Sequence, residues 1–126
     1  METSLETIRG KVRSGRGIGK TIGFPTINIK YNGELAGVFV GAVELNGEIY
    51  HAAVHVGSRP TFFDGEPVCE AFLFDFDENI EAETEVVVDV FEKIREVETF
   101  SSLGFLKNQI AEDVENIKNW YTSKES

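Results

Sequence analysis

Two apolar runs, Gly37 to Leu45 and Glu48 to Val56, are rich in Val, Phe, Tyr and Ala and are separated by Asn46-Gly47. Asn-Gly is the preferred pair for a two-residue turn whose twist matches that of flanking antiparallel strands, so the pattern predicts a β-hairpin. Four shorter runs predict further strands: Ile8 to Val12, Thr26 to Ile29, Val68 to Phe76 and Thr84 to Ile94. Towards the C-terminus the period changes. Leu103, Leu106, Ile110, Val114, Ile117 and Tyr121 recur at three- and four-residue steps, which places them on one face of a helix. Ser101 or Ser102 is placed to cap its start, and Gly104 is a weak point in its first turn. Six short strands and one amphipathic helix predict a small barrel or sandwich with the helix covering its wall.

Alternation along Val68 to Phe76 puts Val68, Glu70, Phe72, Phe74 and Phe76 on one face and Cys69, Ala71, Leu73 and Asp75 on the other. Glu70 therefore shares its face with three phenylalanines. Desolvation there raises a carboxyl pKa, and such a group can accept a proton from a hydroxyl. The structural alternative is a strand-end glutamate that reaches solvent or pairs with an arginine. Other acidic residues, such as Asp77-Glu78 and those from Glu81 to Glu85, read as solvated turn and strand-edge charge.

The second chemical signal is the glycine-rich basic segment from Gly15 to Gly23, which leads into Phe24-Pro25-Thr26-Ile27-Asn28. Gly15, Gly17 and Gly19 at alternate positions let backbone N–H groups turn towards one concavity, and Arg16 and Lys20 add positive charge where an anion would lie. Gly19-Lys20-Thr21 resembles the end of a P-loop, but the spacing requires Gly where Ser14 stands, and Gly23 and Pro25 prevent the helix that should follow. The dinucleotide fingerprint fails on spacing and on the same missing helix. The residues after the loop alternate instead. Thr26 and Asn28 project from one face of a strand, roughly 7 Å apart, a placement suited to an oxygen-ligated Mg²⁺ shared with phosphates. A plain turn is the competing reading of such a loop.

Charge distribution supports the phosphate reading. The 126-residue chain has a formal net charge of −10, which argues against nonspecific binding to nucleic acid or anionic membranes. Its basic charge is nevertheless local: no acidic residue lies between Thr7 and Gly33, whereas Arg9, Lys11, Arg13, Arg16, Lys20 and Lys30 all do. A small polyphosphate matches that arrangement better than a long polyanion. The length predicts one domain over residues 1–126. The polar start and the absence of any apolar run of membrane-spanning length predict a cytoplasmic protein. Cys69, the single cysteine, reads as a buried apolar residue. His51 and His55 lie about 13 Å apart along an extended segment, too far to chelate one ion readily, and they read as structural.

Taken together, these blocks resemble the riboflavin kinase (flavokinase) family, which in many bacteria forms the C-terminal half of a bifunctional FAD synthetase. Gly23-Phe24-Pro25-Thr26-Ile27-Asn28 is similar to the family's Gly-Phe-Pro-Thr-Ala-Asn. In order along the chain, supporting matches are the Gly10 to Gly19 segment, Gly37-Val38-Phe39, Gly57-Ser58-Arg59-Pro60-Thr61-Phe62, Glu70 to Phe76, and Ile94-Arg95-Glu96 followed by Phe100, Leu103, Ile110 and Asp113.

The resemblance implies a six-stranded Greek-key β-barrel with a C-terminal helix, and transfer of the γ-phosphoryl group of ATP to the 5′-hydroxyl of riboflavin, giving FMN and ADP. It assigns Gly15, Arg16, Gly17, Gly19, Lys20 and Thr26 to the nucleotide, Thr26 and Asn28 to Mg²⁺, and Glu70 to the catalytic base. Arg95 and Phe100 fall to the flavin, although an arginine after a strand also commonly pairs with a nearby acid. Three positions depart from the family pattern: Ile18 for a common loop arginine, Phe72 for a frequent histidine, and Glu81-Ala82 for Tyr-Gly. They keep open a flavin- or nucleotide-binding module that has lost efficient catalysis. The adenylyltransferase half of bacterial homologues has no counterpart here, so FAD formation is expected to need a separate adenylyltransferase, and a kinase subunit that depends on such a partner is a third reading.

Overall fold

The computed structural model describes residues 3–13, 26–58, 67–76, 80–98 and 101–125. Its strands are β1 (Glu6–Lys11), β2 (Thr26–Lys30), β3 (Gly37–Leu45), β4 (Glu48–Ser58), β5 (Pro67–Leu73) and β6 (Glu85–Arg95), followed by one helix, α1 (Leu103–Glu125). All pairings are antiparallel, in the order β1-β6-β3-β4-β5-β2. The predicted hairpin joins β3 to β4, with Leu45 opposite Glu48 and positive φ at both Asn46 (52°) and Gly47 (83°). Positive φ at both central residues is what a type I′ turn demands, and Asn-Gly meets that demand at low cost.

The sheet curls so that its first and last strands share one core. Ile8 and Val12 on the β1 side join Ile27 and Ile29 of β2 in a cluster with Phe39, Val43, Val54, Leu73 and Val88. Gly10 makes this approach possible, since a Cβ there would stand 3.3 Å from Ile29 Cβ. The closed barrel expected from the sequence is found as an open, curled sheet. Val12 N–H still donates to Thr84 O on the β6 side, and only then does Arg13 N–H reach Asn28 O, in a single bridge. The chain thus stays committed to its β6 neighbour along the whole of β1, and among the described residues one bridge rather than a ladder joins the two edges.

A second cluster lies on the opposite face of the sheet, where α1 packs. Val40, Ala53, Phe72 and Phe74 meet Ile110, Val114 and Ile117 of the helix, with Leu106, Phe91, Ile94, Trp120 and Tyr121 partly buried around them. With both faces covered, β3 is buried at nearly every position, which explains its almost unbroken apolar run. Two register shifts in the β3–β6 ladder, between Val38 and Phe39 and between Val40 and Gly41, are irregularities of the β-bulge kind, which bend a strand.

Ser102 supplies the helix cap, its Oγ accepting from Phe105 N–H at 3.2 Å. Near the other end Tyr121 donates to Gly41 O and lies flat on the His51 ring, with centroids 3.5 Å apart. The face assignment predicted for β5 holds from Cys69 to Phe74 and fails at Phe76. Asp75 has φ of 55°, which ends the extended run, and Phe76 packs instead with the inner cluster, edge-on to Tyr50 at 4.9 Å. Among the described residues no helix is long and apolar enough to cross a membrane.

Candidate active site

Antiparallel register sets a line of residues across five strands. Asn28 of β2 faces Glu70 of β5, Glu70 faces His55 of β4, His55 faces Val38 of β3, and Val38 faces Arg95 of β6. Directly opposed residues of antiparallel strands share a face, with Cβ atoms about 4.5–5.5 Å apart. This line lies on the helix-covered face, because Phe72 and Ala53, two positions along from Glu70 and His55, belong to the cluster beneath α1. Asn28, His55 and Glu70 are 5%, 8% and 4% exposed, values that mark a polar site held inside the protein rather than a solvated strand end. Thr26 is opposite Phe72, on the same face as Asn28 and half-buried.

The β2–β5 ladder therefore brings together Glu70 and the Thr26/Asn28 pair, two signals that stand apart in the sequence. Gly15, Arg16, Gly17, Gly19 and Lys20 lie outside the described residues, as does Phe100. The two flanks of the glycine segment are described, and both stand beside this line: Arg13 is bridged to Asn28, N–H to O at 2.8 Å, and Thr26 opens β2.

Asn28 Oδ1 is buried and has no hydrogen-bond partner among the described residues. A buried carbonyl oxygen left in that state costs about 1–3 kcal/mol unless something occupies it. It is a hard oxygen donor, and with the Thr26 hydroxyl on the same face it fits Mg²⁺, which takes few protein ligands and retains waters. Among the described residues no group of three or more His, Cys, Asp or Glu side chains is arranged around a common point.

At the β6 end of the line, Arg95 is engaged by the helix. Its Nε and Nη2 donate to Asp113 Oδ1 and Oδ2 at 2.9 and 2.7 Å, and Nη1 donates to Glu96 O at 3.0 Å. Gln109 Nε2, one turn before Asp113, donates to the same Oδ1 at 3.0 Å. A two-pronged guanidinium–carboxylate contact is geometrically specific, and it explains how a carboxylate only 1% exposed is tolerated in the helix interface. The acid-pairing alternative for Arg95 is thus realised.

Two members of the assembly carry little sequence signal. Asp113 interrupts the apolar stripe of the helix, and although it falls among the family-like positions, its partner is not readable from the sequence. His55 looks like any strand histidine until register sets it opposite Glu70, with its ring 5.0 Å from that of Phe72. His51, by contrast, belongs to the helix anchor. Cys69 is buried on the inner face, where loss of solvent pushes its thiol pKa from 9.0 to about 12.

Comparison with known proteins covers almost the whole sequence. The family model for riboflavin kinase (flavokinase) matches residues 4–121. The bifunctional riboflavin kinase/FMN adenylyltransferase of Haemophilus influenzae is 39% identical over 120 residues, covering 92% of this chain and 39% of that protein. An RNA-binding riboflavin kinase from Bacillus subtilis is 34% identical over 113 residues, covering 87% of this chain and 49% of that one. The chain thus spans about two fifths of the length of the bifunctional relatives it matches. Among solved structures, a Streptococcus pneumoniae chain described as a macrolide-efflux protein superposes with a TM-score of 0.76 at 34% identity, over 90% of this chain and 38% of that one. Riboflavin kinase from Trypanosoma brucei superposes with a TM-score of 0.60 at 23% identity, over 92% of this chain and 79% of that one, a likeness of fold. With a family model matching residues 4–121 and relatives above 30% identity over most of the sequence, the chain belongs to the riboflavin kinase (flavokinase) family.

Proposed function

We propose that this chain transfers the γ-phosphoryl group of ATP to the 5′-hydroxyl of riboflavin, giving FMN and ADP. The observation that carries the reading is the buried cross-strand pair of Glu70 and Asn28, with both flanks of the basic glycine segment beside it. Phosphoryl transfer asks chiefly for in-line positioning and for charge neutralisation. Gly15, Arg16, Gly17, Gly19 and Lys20, with Thr26, surround the nucleotide phosphates. Asn28 Oδ1 and the Thr26 hydroxyl hold Mg²⁺, which when bound neutralises phosphate charge. Glu70 accepts the proton of the ribityl hydroxyl as the new P–O bond forms, and its buried position keeps bulk water from competing. The flavin lies towards the helix end of the sheet, near Arg95 and Phe100, with Asp113 holding the guanidinium plane in place.

The kinase domain extends over residues 1–126, and it works in the cytoplasm. FMN made here is the substrate of an adenylyltransferase that forms FAD. The test is direct: purified protein is incubated with riboflavin, ATP and Mg²⁺, and FMN is quantified by chromatography. Glu70→Gln is expected to lower turnover by roughly 10²–10⁴-fold, the usual worth of general-base assistance, with nucleotide affinity little changed. Absence of FMN above the Glu70→Gln background overturns the reading; calorimetric riboflavin binding without turnover would then identify a flavin-binding module.

A further inference from the structure

We infer that His55 is a positioning residue for Glu70, setting the orientation of the carboxylate that receives the riboflavin proton. The inference rests on the kinase reading for its catalytic consequence, though not for its structural content. His55 and Glu70 are direct partners in the β4–β5 ladder, and both are nearly inaccessible to water. The imidazole is confined. Its ring lies 5.0 Å from the Phe72 ring at an angle of 57°, over the residue two positions beyond Glu70 on the same face. On the other flank it faces Val38, an apolar neighbour, with the Arg95 guanidinium one strand further on and already bound to Asp113.

A carboxylate in this setting has four lone-pair sites and little solvent to satisfy them. Towards β2 it meets Asn28, whose amide N–H groups can donate while its Oδ1 can only accept. Towards β4 it meets an imidazole, which carries an N–H in either tautomer. On the side of Glu70 that faces away from β2, the donor that register supplies is the imidazole of His55. An imidazole fixed between Phe72 and Val38 limits the rotamers open to the carboxylate and leaves one oxygen directed at the substrate hydroxyl. Displacement of a reacting group by about 1 Å can cost roughly 10²-fold in rate, so the effect belongs in kcat.

The experiment combines spectroscopy with kinetics. The chain has two histidines, so the ring nitrogens of His55 and His51 are separately assignable in a long-range ¹H–¹⁵N spectrum, and His51, stacked on Tyr121, is an internal control. Glu70→Gln is expected to move the His55 ring nitrogen resonances and to leave those of His51 in place. Unchanged His55 resonances overturn the inference whether or not the protein makes FMN. In kinetics, His55→Leu is expected to lower kcat by roughly 10- to 100-fold with the KM for ATP unchanged. His55→Gln, which restores an N–H donor, is expected to recover most of the loss. The His55→Leu effect should vanish in a Glu70→Gln background. Equal losses for His55→Leu and His55→Gln, or a full additional loss on top of Glu70→Gln, would overturn positioning through Glu70 while leaving the kinase reading intact. Absence of FMN from the wild-type chain alongside a His55 response to Glu70→Gln separates failure of the kinase reading from failure of this one.

Discussion

The two faces of the curled sheet bury similar aliphatic and aromatic residues, yet they differ in what else they hold. Ile8, Ile27, Val54, Cys69, Leu73 and Val88 fill the inner face, where the polar atoms among the described core residues are the Cys69 thiol and the Tyr31 hydroxyl. Tyr31 is satisfied locally, donating to Glu6 Oε2 at 2.8 Å and accepting from Leu35 N–H at 2.7 Å. Asn28, His55 and Glu70, with Asp113 of α1, are all on the helix-covered face. Buried polar and charged groups each carry a desolvation cost, and concentrating them on one face leaves the other to supply stability at about 25 cal/mol per Å² of apolar surface removed from water. Stability and chemistry are thus divided between two sides of the same strands.

That division can be broken at either face. The largest effect on turnover is expected from Glu70→Gln, which should leave the urea unfolding midpoint close to that of the wild type, because the amide preserves shape and apolar packing. Asp113→Ala comes next and mixes both outcomes. It strands the Arg95 guanidinium in a mostly buried position, and loss of one partner of a buried pair typically costs about 3–5 kcal/mol. Because the pair ties α1 to β6, hydrogen exchange along Gln109 to Val114 is expected to rise along with the loss of stability. Unaltered exchange there would show that the helix is held by Ile110, Val114 and Ile117 alone.

Leu73→Ala sharpens the contrast from the inner side. Removing a fully buried leucine should cost about 2–5 kcal/mol in equilibrium unfolding while kcat, measured well below the new unfolding temperature, stays within about twofold of wild type. A large fall in kcat would mean that the two faces are mechanically coupled. The smallest effect is a pH dependence seated on the inner face. Burial pushes the Cys69 thiol from 9.0 and the Tyr31 hydroxyl from 10.0 each to about 12. The folded pKa values lie above the unfolded ones, so between these values the unfolded chain releases protons that the folded chain retains. The stabilisation is complete below about pH 9 and is lost as pH rises towards 12. For Cys69 alone the loss amounts to about 1 kcal/mol at pH 10, and Cys69→Ala should flatten the alkaline fall of the urea midpoint between pH 8 and 10.

The candidate site was unevenly legible in the sequence. Glu70 was visible because a carboxylate alternating with Phe72 and Phe74 breaks the polarity expected of an apolar strand face, and Thr26 and Asn28 because they alternate directly after a glycine-rich loop. The roles of His55 and Asp113 were opaque for a common reason, although Asp113 stood among the family-like positions. Each is one polar residue in an otherwise regular apolar pattern, and such a residue has meaning only through the partner across the ladder or across the helix interface, here Glu70 and Arg95.

The sequence by itself determined the elements. Period-two and period-four patterning, an Asn-Gly turn that accepts positive φ at both positions, and a serine before the helix are local signals, and local sterics and hydrogen bonding act within a few residues. Tertiary structure decided the rest. Register across β2, β5, β4, β3 and β6 assembled Asn28, Glu70, His55 and Arg95 into one line, the turn at Asp75 sent Phe76 to the inner core, and the commitment of β1 and Val12 to β6 left the sheet open with one bridge at Arg13. Each of these depends on which strand lies beside which, a choice set by the packing of residues far apart in the chain.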